Sequence, residues 1–156
     1  MVKLFIIRAG RNSCLVNEFL DNNLIAISFS QTGDLSGLDL DDINYSMMVN
    51  YGVRKYSKII NRFVNEISLG DYIIVYDCEN RIYHFARISS DYFYSESDIL
   101  SDSEFKHLRK VEWIGEFFRD DLSTKSRRSL TVPWFCAEIK SPIKDEIFDL
   151  LGELIY

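Results

Sequence analysis

LGDYIIVYDCENRIYHFARISSDYFY, residues 69–94, is the stretch on which the fold turns. Gly70-Asp71 opens a strand, Tyr72 to Asp77 forms it, Cys78-Glu79-Asn80-Arg81 reverses the chain, and Ile82 to Ser89 returns. β-branched and aromatic side chains fill both arms, and so short a turn leaves them antiparallel. Such a hairpin belongs in a small barrel or curled sheet. The mouth of that sheet is then the natural place for a ligand.

Working toward the N-terminus, Leu24 to Ser28 reads as a buried strand and Leu4 to Arg8 as the first one, with Asn12 or Ser13 capping a short helix that runs to Leu20. Between Gln31 and Gly37 the residues are those of a loop. Asp39 to Tyr51 reads as helix. So does Lys55 to Ile67, where Tyr56, Ile59, Ile60, Phe63, Val64 and Ile67 recur at helical spacing and Arg54, Lys58 and Arg62 form a cationic stripe on the opposite side.

Toward the C-terminus, Ser95 to His107 is an acidic connector, Lys110 to Gly115 a strand, and Asp120 to Leu130 a short helix. Thr131 to Ile139 makes a last strand whose Pro133 suits an edge. Pro142 starts a terminal helix with the apolar stripe Ile143, Ile147, Leu150, Leu151 and Leu154. The expected class is α+β, a small curled mixed sheet or pseudo-barrel with flanking helices. Residues 1–140 form the domain, and residues 141–156 a helix that packs on the barrel, docks a partner or links to an effector.

A chain of 156 residues has room for one domain, and 47% hydrophobic content gives it a core. No segment has the length or polarity of a signal peptide or membrane span, so a cytoplasmic protein is expected. The formal charge of −6 opposes sequence-blind coating of a polyanion. Cys14, Cys78 and Cys136 are scattered and make neither a disulfide framework nor a zinc site; they read as buried or half-buried thiols. His84 and His107 suggest no acid or base. Glu138-Ile139-Lys140, with Asp120 or Asp121 upstream, is half of a metal-dependent nuclease signature, but it is short and no Pro-Asp pair precedes it. No catalysis, metal or cofactor is expected.

Four stretches carry a resemblance: Phe5 to Gly10; Ile25 to Phe29 with Gly33 to Ser36; the hairpin, from Gly70-Asp71 through Tyr76-Asp77 to Ala86-Arg87-Ile88; and Arg109 to Trp113 followed by Leu122-Ser123, Arg127 and Leu130-Thr131. In order and spacing the chain resembles the PUA-like superfamily in its EVE and YTH branches, most closely the modified-base-reading domains of Mrr-type and other modification-dependent restriction proteins. The resemblance implies a noncatalytic barrel that flips a modified base of DNA into an aromatic pocket and targets a restriction or antiphage-defence effector. A modified-RNA reader of YTH type and a protein-interaction module are the alternatives.

The resemblance also distributes roles. Phe29, where similar proteins commonly carry Trp, is the first stacking face, and Ser28 and Ser30 beside it reach a base edge. Tyr76 and Asp77 sit at the same mouth, and Trp113 supplies a second wall. Arg8, Arg11, Arg54, Lys58, Arg62, Arg127 and Arg128 hold phosphates. Each role has a structural counterpart that the residues leave open: Phe29 and Trp113 as core, Tyr76 and Asp77 as hairpin closure, the cations as solvated helix faces.

Overall fold

The computed structural model describes residues 2–152. In chain order the elements are β1 (Leu4–Ile7), α1 (Val16–Asn22), β2 (Leu24–Ile27), α2 (Leu40–Tyr51), α3 (Ser57–Asn61), β3 (Tyr72–Asp77), β4 (Ile82–Ile88), β5 (Phe93–Tyr94), β6 (His107–Phe118), α4 (Thr124–Leu130), β7 (Cys136–Ile139) and α5 (Ile143–Leu151). The hairpin is β3 and β4, antiparallel, with Tyr72 opposite Arg87 and Asp77 opposite Ile82. β1 joins β3 in parallel, β6 joins β4 antiparallel with a register shift between Phe85 and Ala86, and the sheet order is β2-β6-β4-β3-β1-β7, with β5 beside the start of β6. That irregularity and the length of β6 let the sheet curl into an α+β half-barrel.

Strand pleating divides the side chains between two cores. Phe5, Ile7, Ile73, Val75, Ala86 and Ile88 face inward with Val16 and Phe19 of α1, Ile43 and Met47 of α2, and Ile59 and Ile60 of α3. Leu4, Ile6, Tyr72, Ile74, Tyr83 and Phe85 face outward with Phe117, Leu130 of α4, and Ile147 and Leu151 of α5. The terminal helix is thus seated on the outer face, while Leu154 of its expected stripe lies outside the described residues. Among the described residues no helix is long and apolar enough to cross a membrane.

Several elements depart from the sequence reading. Neither Asn12 nor Ser13 caps α1; both have positive φ in a tight turn, and the Ser13 hydroxyl instead donates to the Tyr76 carbonyl (2.8 Å) and accepts from the Cys78 amide (3.1 Å). The helix expected over Lys55 to Ile67 is α-helical only to Asn61 and widens into a π turn over Arg62–Glu66, closed by the Ile67 amide on the Arg62 carbonyl. The buried guanidinium of Arg109 explains the widening. It takes the freed carbonyls of Phe63 (2.8 Å) and Val64 (3.0 Å) and reaches that of Ser90 (3.3 Å). β6 runs well beyond the predicted Lys110–Gly115, and the last strand keeps only Cys136–Ile139 at the sheet edge. Residues 131–135 become a strap, tied to β1 by the Arg8 amide on the Phe135 carbonyl.

Candidate functional site

The strap and the exits of β1, β2 and β3 enclose a recess of about 960 Å³. It wraps around the end of β1 and so draws on both cores. Ile7, Ala26, Ile27, Phe29, Tyr56, Phe105 and Phe135 line an inner lobe, and Ile6, Tyr76, Tyr83, Arg119, Leu130 and Val132 an outer one. Residues 8–13 form the ridge between them.

Phe29 governs the inner lobe. Its ring is half-buried, edge-on to Tyr51 (centroids 5.2 Å apart) and tilted against Tyr56 (5.4 Å) and Phe135 (5.7 Å). Its backbone sits at φ 73°, a left-handed conformation that is costly for a bulky side chain. His107 fixes that conformation from below. Fully buried, it makes contacts of 3.0 Å from Nε2 to the Phe29 carbonyl and 2.7 Å from Nδ1 to the Tyr92 hydroxyl, which itself accepts from the Leu35 amide. A carbonyl can only accept, so Nε2 carries the hydrogen. Burial holds the imidazole pKa below its ordinary value, leaving Nδ1 to accept from Tyr92. Burial likewise raises the Tyr92 pKa.

In the outer lobe Tyr76 lies over Tyr83 (4.6 Å), which stacks on Phe117 (5.2 Å, 18°). Burial pushes the Tyr83 hydroxyl up to about 12, against the opposing pull of the Arg119 charge. Arg8 on the ridge donates to the Pro133 (2.8 Å) and Val132 (3.3 Å) carbonyls of the strap, and Arg11 beside it is exposed. Among the described residues Arg8, Arg11 and Arg119 have no carboxylate within ion-pair distance, whereas Arg81 is paired with Asp120.

Of the residues named from sequence, Ser28, Phe29, Tyr76, Arg8 and Arg11 line the recess. Ser30 does not; its carbonyl accepts from the Tyr94 hydroxyl. Trp113 lies elsewhere, half-buried, donating to the Phe19 carbonyl (3.3 Å) with its ring against His84. Asp77 follows Tyr76 and therefore points to the opposite face. Its carboxylate accepts from the Glu79 and Asn80 amides and the Asn80 side chain, and these bonds, the side-chain one foremost, hold its pKa below the usual carboxylate range. Arg54 precedes α3 and Lys58 lies exposed on it, so the stripe is broken, and Arg62 donates to the Cys136 carbonyl. Arg127 donates to the Leu122 carbonyl and the Thr124 hydroxyl at the start of its own helix, with Arg128 exposed beside it.

Cys14 and Cys78 are exposed rather than buried, and burial pushes the Cys136 thiol up to about 12. Sequence reasoning missed Tyr56, Phe105, Trp134, Phe135 and Arg119. Tyr56 has the helical spacing of a core residue and Phe135 reads as strand, so only the folded chain brings them to the lobe.

The family model described as Domain of unknown function (DUF8426) matches residues 5–132. The chain belongs to that family. No curated protein matches this DUF8426 member in sequence. Among solved structures its fold is similar to the YTH domain of the Zygosaccharomyces rouxii MRB1 protein in complex with N6-methyladenosine RNA, at 15% identity and TM-score 0.55, covering 97% of this chain and 88% of that one. It is also similar to the Mmi1 YTH domain, at 13% identity and TM-score 0.53 over 96% and 94% of the two chains. The complex of the Mmi1 YTH domain with RNA gives 11% identity and TM-score 0.52 over 96% and 77%. At these identities the likeness concerns the fold, and it agrees with the curled half-barrel.

Proposed function

We propose that this DUF8426 chain reads one modified nucleobase of a single-stranded nucleic acid by holding it in the inner lobe, without chemistry. The observation that carries the reading is Phe29, a bulky residue kept in a left-handed conformation by a buried histidine, with its ring among Tyr56 and Phe135 on the wall of an open recess. Backbone strain of this kind is maintained where a side chain must be presented in one orientation. A base lifted from its stack needs aromatic faces and polar partners at its edge, and Ser28 and residues 8–13 line the same recess as the ring. Among the described residues no Asp, Glu or His lines the recess, which leaves no carboxylate or imidazole to move a proton there.

RNA is the favoured polymer, because YTH domains of similar fold have been solved with it. The DNA form of the reading, with a restriction or defence effector as partner, rests on the sequence resemblance alone. A binding panel decides. Hexamers of RNA and of DNA carrying N6-methyladenine, 5-methylcytosine or 5-hydroxymethylcytosine are compared with their plain counterparts, and one modified base is expected to bind at least roughly tenfold more tightly. Equal affinity for every hexamer would refute the reading.

A further inference from the structure

The recess is larger than one base requires. At about 960 Å³ it lies near the top of the range that houses whole drug-sized ligands, roughly 300–1,000 Å³. The excess is the outer lobe, built as a second flat platform. Tyr76 is half-exposed over Tyr83, which rests on Phe117, so three rings fix the top one in place. Arg119 borders this platform and Arg8 and Arg11 stand on the ridge between the lobes, all without a carboxylate partner among the described residues. Two aromatic platforms separated by cations match two bases joined by a phosphate.

We propose that the recess takes a dinucleotide: the modified base in the inner lobe, its neighbour on Tyr76, and the linking phosphate over Arg8 and Arg11. This rests on the base-reading function above and adds a second subsite to it. Stacking tolerates any base, so the outer lobe adds affinity with little sequence preference. The linking phosphate fixes the register of the strand on the protein.

The test uses the hexamer that binds best in that panel, N6-methyladenosine RNA or one of the modified-cytosine hexamers, with its modified base placed centrally, the same hexamer with an abasic residue on either side of that base, and the modified base as a free nucleoside. For the wild-type chain, the abasic residue on the side that meets Tyr76 is expected to weaken binding roughly tenfold, and Tyr76→Ala to weaken the intact hexamer by a similar factor. The two losses do not add. In Tyr76→Ala the abasic hexamer binds no worse than the intact one, nucleoside affinity stays within about twofold, and Tyr76→Phe behaves as wild type. Equal sensitivity of wild type and Tyr76→Ala to the abasic residue, or a nucleoside bound as tightly as the hexamer, overturns the dinucleotide while leaving the inner lobe standing. Equal affinity for every modified and plain hexamer of the panel overturns both readings together.

Discussion

At the scale of single residues, Phe29 separates stability from recognition. A left-handed backbone at a residue with a Cβ costs about 1–2 kcal/mol, which glycine does not incur. Phe29→Gly is therefore expected to be more stable than Phe29→Ala by about 1 kcal/mol in urea denaturation, while both lose the preference for the modified hexamer. A glycine variant that is the less stable of the two would remove strain from the account. His107 beneath it gives the pH dependence its sign. Its folded pKa is depressed by burial, so the stability it contributes is complete above the ordinary value near 6.5 and falls as pH drops through the folded value. Wild type should lose up to about 1.4 kcal/mol per pH unit below pH 6.5 relative to His107→Ala, as read from denaturation midpoints. Parallel pH profiles for the two would show that the imidazole binds its proton equally in both states. Alternation along a strand makes part of this legible in sequence: Tyr76 and Asp77 cannot serve one lobe. Nothing local announces that Phe29 is held by a histidine 78 positions away.

Among the elements, the π turn after α3 depends on one distant side chain. Arg109 is 2% exposed and has carbonyl partners in place of a carboxylate; burial lowers its pKa despite the pull of Asp91. Arg109→Met leaves those carbonyls buried and unpaired and is expected to cost about 3 kcal/mol. Arg109→Lys recovers little, because an ammonium lacks the planar fork that spans three acceptors. Full stability in the methionine variant would mean that the π turn stands without the guanidinium. The sequence discloses the hairpin because its signal is contained within it, alternating strands on either side of a tight turn. The wide turn and the strap are disclosed only by their partners, Arg109 on β6 and Arg8 just beyond β1. That is also why α2 was legible to within a residue: Asp39 and Asp42 form a capping box inside the helix they start.

For the whole molecule, a formal charge of −6 makes long-range attraction to nucleic acid weak, so affinity must come from the recess. With one phosphate over Arg8 and Arg11 and at most two more within reach of the arginines that line the recess, the logarithm of affinity for the hexamer should fall against the logarithm of salt with a slope no steeper than roughly −2. A slope several times steeper would place binding on a broad cationic surface. The sheet separates the two cores, and β1 contributes side chains to both. Left alone, the layer under α1–α3 and the layer under α4–α5 can open separately, each with its own amide exchange rates. A guest lodged around the end of β1 touches the two layers at once and penalises either opening by the same free energy. Occupancy should therefore slow exchange in α5, remote from the reading lobe, as strongly as in α3, turning two cooperative units into one.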